Sequence, residues 1–312
     1  MAPKLGYLLP TREQIMEGKH DAASLLALAA RAESEGFDSV WVGDSVLARP
    51  RHDALTLLAG VAGRVPRVEL GTAVLLPALR NPVLLAHQVA TLDQVSEGRL
   101  ILGVGFAADV PNIRAEFAAS GVPFEKRIGR MMEGLRLCRA LWTGKPVDWE
   151  GRWPVRQGVL APVPYRPGGP PLWIGGNLPT SLERAGKFFD GWFPSASAPD
   201  AFGSGLEHVR SVAQAAGRDP EAITGAMYLT IALDEDAAKA DARLNSFLER
   251  YYLVPAAAMR SHQACYAGPV SGVAEYLDAY AKAGAGHLCI RFAGEHQTHI
   301  AALAKARASL DW

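Results

Sequence analysis

Gly175-Gly176-Asn177, with Thr180 and Ser181 just beyond, is the stretch of this chain best suited to holding an anion. It lies between an apolar run at 171–174 and a helical pattern at 178–187. Glycines let backbone N–H groups approach a phosphate closely, a helix start adds partial positive charge, and the two hydroxyls add donors. A plain turn with Asn177 or Thr180 capping the helix fits the same residues equally well. Gly103-Val104-Gly105 matches half of a dinucleotide fingerprint. Position 108 is alanine and no helix begins at once, so these glycines better suit the close approach of backbone or of a flat ring. Asp44 follows an apolar run and suits a hydrogen-bond acceptor or a general base, although a lone loop aspartate more often pairs with a nearby cation, here Arg49 or Arg51. Arg291 suits an anionic group, or a pairing with Glu295.

The remaining candidates are weaker. Trp192 is placed to wall a cofactor, yet a tryptophan in an apolar run is more often core. His52 suits a polar helix start. Cys138, Cys265 and Cys289 are far apart and form no CxxC pair, which argues against a zinc knuckle or a disulfide scaffold. HExxH, GxSxG and P-loop patterns are absent, and no metal cluster or nucleophile triad stands out. Chemistry in this chain would therefore come from an organic cofactor, with the protein supplying position and surroundings.

The elements that must position these residues alternate regularly. Apolar, β-rich runs occur at 4–9, 38–42, 68–76, 100–104, 171–174, 190–193, 225–233 and 287–292, each followed by a helical pattern. The clearest unit is 68–106, where Asn81-Pro82 opens a helix between two apolar runs; proline at the first helical position gives up a hydrogen bond the helix would not make. Two buried strands joined by a helix imply a parallel sheet. Eight such units predict a single (β/α)8 TIM barrel over 1–312, with insertions at about 107–124, 143–170 and 253–268, the second with room for a small hairpin. In that fold sites gather at the C-terminal strand ends. Asp44, Thr72, Ala73, Val74, Gly105, Gly175, Trp192 and Arg291 all fall there.

Bulk properties bound the partners. The formal net charge is zero and 49% of residues are hydrophobic, so there is no electrostatic case for nucleic acid or an anionic membrane. No apolar run has the length of a membrane span, and the first residues carry too short a run for a signal peptide, so a cytoplasmic location is expected.

Together the segments VWVGDS at 40–45, LGTAVLLPALRNPVLLAHQVATLDQVSEGRLILGVG at 70–105 and GVPFEKRIGRMMEGLRLCRALWTGKPV at 121–147 resemble the bacterial-luciferase-like superfamily of flavin- and deazaflavin (F420)-dependent oxidoreductases. PLWIGG at 171–176, DGWFP at 190–194 and AGAGHLCIR at 283–291 extend the resemblance nearly end to end. It implies a TIM barrel, usually dimeric, with a reduced flavin or F420 at the strand ends and a non-prolyl cis peptide after the third strand, here Ala73–Val74. It places Gly175, Gly176, Asn177 and Thr180 near the cofactor phosphate, and Asp44, Thr72, Ala73, Val74 and Gly105 near the ring. Ser45 stands where many members carry histidine, and Phe106-Ala107-Ala108 gives a more apolar rim than usual.

On this basis the first expectation is a two-component monooxygenase: reduced FMN from a separate flavin reductase, O₂, and a small organic substrate, with Asp44 and Arg291 as catalytic residues and no metal. The alternative is F420-dependent hydride transfer on the same barrel. A non-catalytic flavin-binding barrel is the third. A homodimer through helices near 52–64 and 82–96 is also expected.

Overall fold

The apolar runs become parallel strands because helices cover their outer faces. The structure is a computed structural model and describes residues 2–308 and 310. Its strands are β1 (Lys4–Leu8), β2 (Ser39–Val42), β3 (Glu69–Thr72), β4 (Leu100–Val104), β5 (Val147–Trp149), β6 (Val155–Gly158), β7 (Leu172–Ile174), β8 (Gly191–Trp192), β9 (Thr224–Leu233), β10 (Ala264–Gly268) and β11 (His287–Phe292). Eight of them pair in parallel around a closed ring, in the order β1, β2, β3, β4, β7, β8, β9, β11 and back to β1. This is the expected (β/α)8 barrel with insertions. No helix among the described residues is long and apolar enough to cross a membrane.

The insertions hold more order than their composition suggested. Residues 107–124 contain the helix Pro111–Ala119, and 143–170 contain the antiparallel hairpin of β5 and β6. Residues 253–268 contain β10, which pairs in parallel with the far half of β9, from Ala264 opposite Leu229 to Gly268 opposite Leu233. A short helix, Thr11–Met16, follows β1 directly. Asp236 caps the helix Ala237–Tyr252, accepting from the N–H groups of Ala238 and Lys239. Neither Asn177 nor Thr180 caps the helix Pro179–Phe188; its N-cap is Leu178, with no side-chain hydrogen bond.

The barrel floor is aromatic. Trp41 reaches inward between Trp173 and Phe193, with ring centroids 5.5 and 5.2 Å away, and meets the edge of His287 at 5.2 Å. Gly6 and Gly71 make this possible: a Cβ on either would lie 2.4 or 2.1 Å from the indole. Trp41 Nε1 donates to Ser39 Oγ, which shares a hydrogen bond with His287 Nε2, both at 2.7 Å. Burial holds the His287 imidazole neutral, its pKa pushed down to about 3, with Lys4 adding to the effect. Alternate residues of β11 and β9 face inward in register: His287 opposite Ala226, Cys289 opposite Tyr228, and Arg291 opposite Thr230. Arg291 tops the filled core and, with Tyr228, lines the strand-end cavity.

Candidate active site

A cavity of about 450 Å³ opens over the C-terminal strand ends. Its wall includes Asp44, Ala73, Val74, Gly105, Gly175, Gly176 and Arg291, seven residues singled out in the sequence, brought together from β2, β3, β4, β7 and β11. Thr72 stays in its strand, buried, with Oγ1 donating to the Gly103 carbonyl at 2.7 Å. Asn177 and Thr180 stand exposed beside Gly176. Trp192 does not wall the cavity. Its ring stacks on Phe202 at 5.4 Å, against the helix Pro199–Ala215, and its Nε1 donates to the Gly176 carbonyl at 2.9 Å. Alternation along β8 turns Phe193 toward the cavity and Trp192 away, so the tryptophan supports the glycine turn from behind. A second cavity, of about 680 Å³ and lined in part by Glu13, Phe247, Glu295 and His296, contains none of the catalytic or cofactor-binding candidates named from the sequence.

The third strand ends as the resemblance implied: the Ala73–Val74 peptide is cis. The chain then turns back beside β4. Leu75 N–H donates to the Gly103 carbonyl at 2.8 Å, and Gly105 N–H donates to the Leu75 carbonyl at 3.0 Å. A Cβ on Gly105 would lie 2.5 Å from Val74 Cγ2, so the glycine lets the Val74 side chain lie flat against β4. At the next strand end Gly176 adopts φ +109°, a conformation other residues rarely take, and leads to the uncapped helix Pro179–Phe188. Pro179 carries no N–H and Ser181 N–H donates to the Leu178 carbonyl at 2.7 Å, which leaves Thr180 N–H as the donor this helix start can offer an anion.

Asp44 is not a free base. Arg80 Nη1 donates to its Oδ2 at 2.6 Å and Arg80 Nη2 to its Oδ1 at 2.9 Å, while Leu76 N–H donates to Oδ2 at 2.9 Å. The carboxylate side chain is 2% exposed. The partner is neither Arg49 nor Arg51, but an arginine just before the Asn81-Pro82 helix start. The pair ties the end of β2 to the segment that follows the cis peptide. Ser45, where a histidine is common, donates its hydroxyl to Glu116 Oε1 at 2.9 Å. The same oxygen accepts the N–H groups of Val46, Leu47 and Ala48, so the helix Pro111–Ala119 staples the loop after β2 through one carboxylate.

Arg291 makes no pair with Glu295. Its Nη1 donates to Tyr252 Oη at 2.8 Å, and its Nη2 to Thr230 Oγ1 at 2.9 Å and to Gln263 Oε1 at 2.5 Å. Gln263 Nε2 in turn donates to Tyr252 Oη at 2.5 Å. Two donors on one hydroxyl oxygen leave the tyrosine's own hydrogen free for another acceptor. Tyr228, Tyr251 and Tyr252 complete this side of the cavity, and burial pushes the Tyr228 hydroxyl well above its usual range, with Arg291 opposing. Glu116, Arg80, Tyr251, Tyr252 and Gln263 carried no signal in the sequence: each lies in a loop, an insertion or the tail of a helix, with its partners far along the chain. Cys289 is buried beneath Arg291, where burial raises its thiol pKa and leaves a small core residue rather than a nucleophile.

The profile of luciferase-like monooxygenases matches residues 3–310. The chain is 34% identical over 212 residues to the 5,10-methylenetetrahydromethanopterin reductase of Methanolobus tindarius, covering 68% of this chain and 62% of that protein. It thus spans less than two thirds of that relative's length. It is 34% identical over 251 residues to the F420-dependent glucose-6-phosphate dehydrogenase of Kineococcus radiotolerans, covering 76% of this chain and 70% of that one. A solved F420-dependent secondary alcohol dehydrogenase, in complex with an F420-acetone adduct, has the same fold, with a TM-score of 0.84 at 22% identity over 100% of both chains. The chain belongs to the luciferase-like monooxygenase family, within the bacterial-luciferase-like superfamily of flavin- and F420-dependent oxidoreductases.

Proposed function

We propose that this chain is an F420-dependent oxidoreductase that moves a hydride between the deazaflavin and a small organic substrate. The reading replaces the two-component monooxygenase as the first choice. What carries it is the 34% identity, over three quarters of the chain, to an F420-dependent dehydrogenase, together with a cavity whose polar groups suit proton handling. The cavity residues fit such a cofactor. Ala73, Val74 and Gly105 form a flat apolar bed of the kind a planar ring needs, and Gly176 with the uncapped start of Pro179–Phe188 forms a phosphate cradle.

When bound, the deazaflavin supplies or accepts the hydride; the chain's residues do the rest. Phe106, Ile113 and Phe193 exclude water from the cavity. Tyr252 Oη, held by Arg291 and Gln263, offers its hydrogen to a substrate oxygen and so carries the proton that accompanies the hydride, the task left open by Ser45. The Asp44–Arg80 pair fixes the bed by anchoring Leu76. Asp44 is thus a positioning residue. On the resemblance, we read the helices Ala54–Arg64 and Pro82–Val95 as the face of a homodimer; Leu84 and Val95 stand exposed on the second.

The second reading keeps reduced FMN, O₂ and a separate reductase; the description of the matching family favours it. Titrating the purified protein with F420 and with FMN separates the two.

A further inference from the structure

Arg49, Arg51 and Arg291 line the cavity, and none of them forms an ion pair among the described residues. Arg12 lies just behind, 7% exposed, its guanidinium 4.6 Å from the centre of the Tyr251 ring, with Nε and Nη1 lacking any hydrogen-bond partner. Arg291 is 1% exposed and its Nε is likewise unpartnered. These side chains are held in place rather than free to reach solvent. Arg51 Nε donates to the Arg49 carbonyl and Arg51 Nη2 to Tyr251 Oη, both at 3.1 Å. A Cβ on Gly43 would lie 2.1 Å from Arg51 Nη1, so the glycine after β2 is what admits the guanidinium. Arg49 lies over the Tyr252 ring at 4.8 Å.

The carboxylates nearby balance this charge only in part. Asp44 shares Arg80 with Asp53, and Glu116 holds the loop after β2 through Oε1 while its buried Oε2 has no partner. Glu13, on the side of the larger cavity, forms no direct ion pair among the described residues; burial raises its carboxyl pKa, while Arg291, Arg51 and Arg12 pull it down, so one carboxylate faces several guanidinium groups. Burial lowers the Arg12 pKa, and Arg51 and Arg49 add to that shift, as expected of like charges crowded together. Buried guanidinium groups that outnumber their counter-ions are costly to keep. Their forked donors match a carboxylate or a phosphate.

The place of the cluster separates it from the cofactor's phosphate cradle. Arg12 follows β1, Arg51 follows β2 and Arg291 ends β11, three neighbouring strands. In the ring of eight, β7 and its Gly175-Gly176 turn stand opposite β1. We infer that the substrate carries an anionic group, a carboxylate or a phosphate, received by Arg51 and Arg291 with Arg49 at the side. The inference rests on the cavity being the oxidoreductase site. It places the reacting carbon of an organic acid or phosphate ester within reach of Tyr252, which shares Arg291 with the anion.

Calorimetric titration of the cofactor-free protein with inorganic phosphate, benzoate and benzamide tests this, alongside Arg51→Met and Arg49→Met. The expected result is that at least one of the two anions binds, that benzamide binds at least about tenfold more weakly than the better anion, and that Arg51→Met abolishes the preference. The F420 dissociation constant of Arg51→Met should stay within about threefold of the parent. If circular dichroism shows Arg51→Met unfolded, Arg49→Met must reduce the preference in its place. Equal binding of benzamide and the anions, or no binding of either anion, overturns the inference. So does a loss of F420 affinity matching the loss of anion affinity, which would assign the arginines to the cofactor. Arginine-dependent anion binding in a protein that binds no F420 would leave the anion site standing and remove the cofactor reading instead.

Discussion

At the residue scale the proposed proton transfer turns on Tyr252. Its hydroxyl oxygen accepts from Arg291 and Gln263, so removing it deletes a proton carrier while leaving the apolar bed and the phosphate cradle untouched. Tyr252→Phe is expected to lower kcat by about 10²–10⁴-fold with little change in F420 affinity. A variant that retains full kcat would remove the tyrosine from the chemistry. Asp44 illustrates what a single sequence can and cannot tell. That an aspartate after an apolar run matters was legible, as was the chance that it pairs with an arginine. Its partner was not, because Arg80 is brought to it only by the turn that follows the cis peptide. Arg80→Met leaves a buried carboxylate unpaired, and such losses cost about 3–5 kcal/mol. Urea unfolding should show a drop of that size, and Asp44→Leu added to Arg80→Met should recover part of it. Equal stability of Arg80→Met and the parent would mean that the pair does not hold the loop.

At the scale of elements, the strand ends decide where cofactor and substrate can lie. The pattern at 68–76 suggested one long strand, yet β3 ends at Thr72 and Leu75 resumes only as an isolated bridge to Val104. Apolar character continues through the bulge because Val74 faces the cavity and Leu75 the core, so composition alone could not mark the break. The same limit hid β10. The segment ACYAG has neither the alternation nor the turn signals of a strand, and it pairs only because β9 runs past the barrel rim. Gly105 is the element-level test. Gly105→Val places a side chain where Val74 Cγ2 now lies and forces one of the two into the cavity. Overpacking of this kind costs about 1–3 kcal/mol. F420 affinity should fall by at least about tenfold, whereas a folded variant with parental affinity would show that the bed does not touch the ring.

For the molecule as a whole, βα alternation was enough to read the barrel. Each helix-covered strand carries its own apolar signal, and only eight units close the ring. The filling of the barrel was less legible, since Trp41, Trp173 and His287 meet inside it from strands far apart in sequence. His287 has a global consequence. An exposed imidazole takes up a proton near pH 6.5, while the buried one does so only near 3. Between these values the unfolded chain binds more protons, so the contribution is complete above pH 6.5 and declines as the pH falls toward 3. Acid unfolding should therefore steepen below pH 6.5, and His287→Gln should flatten that part of the stability curve; an unchanged slope would contradict the burial argument. As proposed, the strand-end cavity of this barrel takes deazaflavin for hydride transfer. The most direct test is equilibrium titration of the purified protein with F420 and, separately, with FMN, oxidised and reduced, following cofactor fluorescence and absorbance. Saturable F420 binding, at least about tenfold tighter than FMN binding, is expected. FMN binding without F420 binding would contradict it and return the chain to the oxygen-using branch of its family.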